Sequence, residues 1–271
     1  MPCIANLTAP IRRSLAHCCA AVALLLAAAG AAPAEPAASS DWAAFLAGTA
    51  KDCRGCDLHG AKLKRRDLSG ADLTEADLTG AVLHAAKLVN AKLDRAKLAD
   101  ANINRADMKR ASLQGADLSG ALLYETDLSG ANLAQAVMTD AHMAHARLTR
   151  ATLRSADLSH AIITEANLAD SDLAAAKLRQ ANLVGANLDR CNLAGAQVDR
   201  AGFVSARLRN AKLPRISAIQ ADFYQADLTG ADLSDGDFRG SRLERADLDG
   251  AVTAGMKTHG AVLVDGTVGR Q

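Results

Sequence analysis

From Cys53 onward, nearly every fifth residue of this chain is a large apolar one. In "ADLTEADLTGAVLHAAKLVNAKLDRAKLADANI", residues 71–103, the positions Leu73, Leu78, Leu83, Leu88, Leu93 and Leu98 recur at that interval, usually with Ala two places earlier. An α-helix repeats at 3.6 residues and a strand at 2, so an unbroken run of neither takes a strict five. Calling the apolar centre i, the phase holds for 44 consecutive pentapeptides from Cys53 to Val268. The centres are Leu, Ile, Met, Val or Phe, apart from Cys53, Ala218, Thr253 and Thr258. Position i−2 is mostly Ala, and i−1 is mostly Asp, Asn, Lys or Arg. Positions i−2 and i therefore point one way and i−1 the other, as in a three-residue strand with its apolar side chains inward. The two remaining residues are small or polar and suit a corner. Strand plus corner, repeated, is a solenoid in which each unit buries its apolar face against the next.

The A-[DN]-L-x-x unit, as in Ala71-Asp72-Leu73-Thr74-Glu75 and in "ADLSGALLYETDLSGANL", resembles the pentapeptide-repeat family. The resemblance covers 53–268. It implies an all-β fold, a right-handed quadrilateral β-helix with four pentapeptides to the coil. That gives about eleven coils, a rod roughly 50 Å long at strand spacing.

The flanks read differently. Residues 1–34 carry Arg12 and Arg13, the apolar run "AAVALLLAAAG" and small residues ending at Ala31 or Ala34. This is the pattern of a cleaved secretory signal peptide, too short for a retained membrane span. The expected location is periplasmic or secreted, by bacterial export. Arg-Arg-Ser-Leu also hints at twin-arginine export, although the rest of that consensus is missing. Residues 35–52 form a linker and capping helix: Ser40 or Asp41 can cap a turn bearing Trp42, Phe45 and Leu46, a lid for the open end of the solenoid. At the other end, "VLVDGTV" carries an Asp-Gly turn signal, read as a frayed last coil or a terminal hairpin. Residues 269–271 are a tail.

The chain has 31 basic and 30 acidic side chains. Such a balance does not suggest nucleic-acid binding or a polyanion. In an exported protein Cys53 and Cys56 read either as a disulfide or as two packed thiols, and Cys191 fills an Ala slot. A zinc site would need two further ligands near the pair. Met138 and Met143 point inward. Asp140, His142, His145 and His160 lie outside, where nothing forces them to converge on a metal. Around 214–223, Ile216 and Ala218 exchange the small and large slots, and Ala218 would make room for Phe223 and Phe238. No catalytic motif, phosphate loop or cleft-forming insertion is present, so neither an enzyme nor a cofactor is expected.

Three functions fit such a rod: an exported scaffold binding a protein partner or itself, a gyrase-protecting DNA mimic, and a weak metal or small-ligand binder. The family resemblance implies that the DNA mimics are cytosolic, strongly acidic dimeric rods, often with loops, whereas this chain has a signal-peptide pattern, near-balanced charge and no loop insertion. With residues twenty apart stacked on one side, the column through Leu63, Leu83 and Ile103 carries no formal charge at i−1 or i+1 for seven coils. Its outer surface shows Val82, Leu122, Tyr124, His142, Ile162, Val184 and Val204. An apolar, charge-poor strip of this kind is the expected interaction surface.

Overall fold

The computed structural model describes residues 42–270. Helix α1, Trp42–Ala47, is followed by a right-handed quadrilateral β-helix that begins at Lys51. Each i−1 residue pairs in parallel with the residue twenty further on, from Asp52 with Asp72 to Arg242 with Val262, so four pentapeptides make one coil.

The unit starting at Ala71 shows how five residues satisfy five amides. Asp72 N–H donates to Lys51 O of the coil before at 2.8 Å. Leu73 and Glu75 N–H donate to Lys92 and Asp94 O of the coil after, at 2.7 and 2.9 Å. Ala76 N–H closes the corner onto Leu73 O at 3.0 Å. The fifth amide, on Thr74, donates to the Asp72 carboxylate at 3.2 Å. The same bond recurs from Ser69 N–H to Asp67, Ser119 N–H to Asp117, Ala134 N–H to Asn132 and Ser234 N–H to Asp232. An outward Asp or Asn at i−1 is therefore more than a solvated residue. It completes the backbone by an Asx turn, and Asp and Asn are suited to this because their oxygen reaches two residues on.

The second corner residue has positive φ throughout, as in Glu75 (61°), Arg95 (55°) and Gln135 (60°), the pattern of a type II turn. Non-glycine residues adopt this conformation at a cost of roughly 1–2 kcal/mol each. The buried centres offset it, since a fully buried Leu contributes about 1.5–3 kcal/mol. The centres from Leu73 to Phe238 are completely shielded, and the Ala slots close the core between them. Hydroxyls in those slots stay paired: Thr126 Oγ1 donates to Ile103 O at 2.9 Å and Ser241 Oγ to Phe238 O at 2.7 Å.

Three expectations need correction. Trp42 is 52% exposed, and the lid is made instead by Phe45, buried, and Leu46, partly buried. The Asp41 and Ser40 caps, like the signal sequence, lie outside the described residues. The pentapeptide phase does not reach Val268: that residue pairs antiparallel with Val262 and is 59% exposed. Leu263 N–H to Thr267 O at 2.7 Å and Gly269 N–H to Ala261 O at 2.8 Å close this terminal hairpin. Finally, Ala218 is not alone in accommodating the aromatic cluster. A Cβ on Gly236 would stand 2.6 Å from the Phe238 ring and 3.2 Å from Ile216 Cγ2. Missing volume at Gly236 admits both the oversized Ile216 one coil earlier and the Phe238 ring. Phe203 and Phe223 stack at 4.7 Å, with Phe238 tilted against Phe223 at 5.6 Å.

Candidate interaction surface

The twenty-residue register places Val82, Asn102, Leu122, His142, Ile162, Asn182 and Gly202 in one ladder. Leu122, Tyr124 and Val184 are exposed at 37–38%, and His142 is exposed; Val82, Ile162 and Val204 are half-buried. All seven residues expected on the strip therefore lie on one side of the rod. The column ends in charge, because Asp222 and Arg242 continue the same ladder and pair at 2.9 Å.

Leu122 has no side-chain acceptor for the corner amide of Tyr124. Asn104, one coil earlier, supplies it, with Tyr124 N–H to Asn104 Oδ1 at 2.7 Å. At Val184 the amide is served by Asn182 of its own coil at 3.1 Å. These amides let the strip carry apolar side chains without orphaned donors.

One edge of the strip is a charged ladder. Arg105 bonds Glu125 at 2.7 Å, and His145 Nδ1 lies 3.3 Å from Glu165. Tyr124 is held within it. Its ring meets His145 edge-on at 5.5 Å, and Arg105 lies 6.0 Å from the ring centre. The neighbouring Glu125 carboxylate raises the Tyr124 pKa above the ordinary phenol value. A second tyrosine on this column, Tyr224, was not singled out by sequence. Arg242 covers its ring at 4.3 Å and Arg245 donates to its hydroxyl at 3.0 Å. The signal for it was the same twenty-residue offset from Val204.

The neighbouring side is cross-linked by charge. Lys109 bridges Asp107 and Asp127 at 3.1 and 3.3 Å. Burial would push the Asp127 carboxyl up, but bonds from Ser129 and Lys109 hold it below the ordinary range. Asp189, nearly buried, is likewise lowered against its burial by Arg209 and Arg207. Such a side presents mutually satisfied charges, whereas the strip presents side chains whose contacts are incomplete.

Cys53 and Cys56 are joined in a disulfide across the first corner, with Cα atoms 5.2 Å apart. Cys191 is buried, and burial pushes its thiol up. Asp140, His142 and His145 are exposed, and His160 lies one coil on at a corner. Among the described residues no group of three or more His, Cys, Asp or Glu could hold a metal. No described helix is long and apolar enough to cross a membrane.

A family model described as pentapeptide repeats matches the chain in segments 52–88, 76–115, 91–130, 126–164, 166–203, 201–240 and 226–252. No curated protein matches. Among solved structures, the chain is similar to HetL, a pentapeptide repeat protein involved in heterocyst differentiation regulation in the cyanobacterium Nostoc. Identity is 29%, the match covers 84% of this chain and 98% of HetL, and the TM-score is 0.47. QnrB1, a plasmid-mediated fluoroquinolone resistance protein, matches at 16% identity over 63% of this chain and 90% of its own, with a TM-score of 0.33. A pentapeptide repeat protein of the Arabidopsis thaliana thylakoid lumen matches at 23% identity over 55% and 72%, with a TM-score of 0.22.

Proposed function

The chain belongs to the pentapeptide-repeat family, generally non-catalytic scaffolds, and on that premise we propose that it is an exported rod that binds a protein partner along its charge-poor side. The observation that carries this reading is the ladder from Val82 to Gly202, seven coils with no Asp, Glu, Lys or Arg at i−1 or i+1. Seven coils span roughly 30 Å at strand spacing. Exposed aliphatics scattered singly mean little. Here Leu122, Tyr124 and Ile162 are brought together by the register, with a polar rim at Arg105, Glu125, His145 and Glu165. An apolar centre with a charged edge is the anatomy of a protein-binding surface.

The same side serves either a second copy or a protein of the cell envelope, and no catalysis is assigned to it. The near-equal numbers of acidic and basic side chains favour a protein partner over mimicry of DNA, which needs a strongly acidic surface. Export is supported by the pattern of residues 1–34 and by the Cys53–Cys56 disulfide, a bond at home in oxidising compartments.

The test is Leu122→Lys combined with Ile162→Lys. Both side chains lie outside the core, so the β-rich circular dichroism should be unchanged. Self-association in sedimentation, or recovery of an envelope protein in pull-down from the native host, should be lost. A double variant that associates as the parent does would overturn the assignment of this side. Mass spectrometry of the mature N-terminus checks export separately: a start near Ala31 or Ala34 is expected, and an intact Met1 in a cytosolic fraction refutes it.

A further inference from the structure

We propose that the corner at Arg110, Gly130 and Arg150 is a binding site for a compact multivalent oxyanion of the phosphate or diphosphate class. Corner residues twenty apart stand above one another, and several corner arginines use that neighbour as a partner. Arg95 bonds Glu75, Arg190 bonds Asp170, Arg105 bonds Glu125, and Arg200 donates to Gln220. At Gly130 the ladder of pairs is interrupted. Its neighbours before and after along the corner are Arg110 and Arg150, and Gly130 offers neither a side chain.

Neither guanidinium is satisfied by another route. Arg110 uses only its Nε, which donates to Asn90 Oδ1 at 3.0 Å, leaving its two terminal nitrogens free among the described residues. The carboxylate on the far side of Arg150 is Asp170, but both its oxygens accept from Arg190, each at 2.7 Å. Among the described residues Arg150 has no side-chain acceptor within hydrogen-bonding distance. The two arginines border a surface hollow of about 530 Å³, lined also by Lys109, Ser129, Thr149 and Asp170.

The hollow is chemically suited to an anion. Lys109 adds an ammonium, although Asp107 and Asp127 share it. Thr149 Oγ1 donates to Ser129 Oγ at 3.1 Å, and Ser129 in turn to Asp127 at 2.6 Å, so both hydroxyl donors are already engaged. The free donors are guanidinium N–H groups, which match tetrahedral oxyanions with paired bonds. Arg110 and Arg150 are rooted two coils apart, roughly 10 Å at strand spacing. A ligand with two linked anionic groups engages both more readily than a single small ion does. The Asp170 carboxylate that lines the hollow is paired with Arg190. Elsewhere the pattern differs: Gly120 lies between Asp100 and Asp140, and Gly195 between Ala175 and Arg215.

The experiment is isothermal titration of the full chain with inorganic pyrophosphate, with inorganic phosphate as the second probe, at low and physiological salt. Saturable one-to-one binding of pyrophosphate is expected, tighter than that of phosphate by at least about ten-fold, since each added guanidinium contact is charge-assisted. Arg110→Gln and Arg150→Gln should each weaken it about ten-fold or more, while Arg215→Gln, a corner arginine outside the hollow, should leave it unchanged. Gly130→Asn places a neutral side chain in the gap; Asn tolerates positive φ, and binding should fall without loss of the rod's circular dichroism. Absence of saturable pyrophosphate binding up to about 10 mM, far above the range expected for charge-assisted contacts, overturns the site. So does an equal loss in Arg215→Gln, which would show diffuse attraction to surface charge. Strip variants should bind pyrophosphate normally, so this result is separate from that of the protein partner.

Discussion

Replacing Asp127 by Ala should destabilise the rod, whereas replacing it by Asn should not. Both changes remove the same charge from an outward-facing side chain. The difference lies in the Asx bonds: Asp127 Oδ1 accepts from Ser129 N–H at 3.1 Å and from Ser129 Oγ at 2.6 Å. Asn keeps an oxygen at that position, and Ala does not. Its side chain is only 13% exposed, so Ala would strand a partly buried donor. Loss of a side-chain cap of this kind costs about 0.5–2 kcal/mol. The ion pairs with Lys109 and Arg147, at 3.3 and 3.8 Å, involve a half-exposed and a mostly exposed cation and add roughly 0.2–1 kcal/mol to either variant. Asp127→Ala should therefore cost about 1–2.5 kcal/mol, and Asp127→Asn about 0.5 kcal/mol. Leu128→Ala, at a fully buried centre beside it, gives the upper yardstick of about 2–5 kcal/mol. Urea unfolding followed by circular dichroism ranks the three. Hydrogen exchange at the Ser129 amide localises the effect, with about a ten-fold faster exchange expected for Ala per 1.4 kcal/mol of lost protection. If Ala and Asn at 127 unfold together, the Asx bond contributes nothing and the reasoning about position i−1 is wrong.

Gly236→Ala should cost about 1–3 kcal/mol, because its Cβ meets the Phe238 ring at 2.6 Å and Leu233 O at 3.0 Å; a thermal midpoint equal to the parent's would show that the ring moves freely. Acid should weaken the rod. Asp67, Asp77, Asp127, Asp189 and Asp232 all titrate below the ordinary carboxylate value, through bonds from their serine, threonine or arginine partners that in Asp127 and Asp189 prevail over burial. Their stabilisation is complete above the unfolded value of about 4 and is lost as pH falls through the lower folded values. Thermal midpoints should thus be flat from pH 7 to 5 and fall below pH 4; a constant midpoint down to pH 2 would refute the linkage. Cys53→Ser with Cys56→Ser should cost at most about 2 kcal/mol, the entropy of closing so short a ring. Resistance of both thiols to alkylation before reduction checks the bond itself.

The period of five, with its inward Leu and Ala, was enough to read the core, because that depends only on which side chains are apolar; four units to the coil, and with it the stacking of residues twenty apart, was implied by the resemblance to the pentapeptide-repeat family. The role of Asp and Asn at i−1 was not legible. Polar residues there suit water as well as they suit a corner amide, and only the Ser129 and Tyr124 bonds distinguish the two. The positive φ at Arg95 or Gln135 was hidden for the same reason: composition favours glycine at such a corner, but the ladder holds other residues there. Trp42 carried the right spacing for a lid, yet hydrophobic spacing on a six-residue helix does not decide which of Trp42 and Phe45 meets the core. Val268 kept the phase by coincidence, while the preceding Asp265-Gly266 turn reversed the chain. On the strip, the alignment of Val82, Leu122 and Ile162 was legible, but the charged ladder that holds Tyr124 was not, since it pairs corners from successive coils.

The stacking of residues twenty apart, coil upon coil, makes the rod behave as a screw thread under genetic change. Loss of one pentapeptide inside it leaves the inward pattern intact, so the shortened chain still coils. Everything beyond the lesion, however, is turned by a quarter revolution. A five-residue deletion after Leu122 would carry the segment with Ile162 and Val184 round to an adjacent side, splitting the apolar ladder in two. A twenty-residue deletion removes one full coil, shortens the rod by roughly 5 Å and keeps every side aligned. Length can therefore drift in whole turns at little cost to recognition, while quarter turns scramble it without unfolding anything.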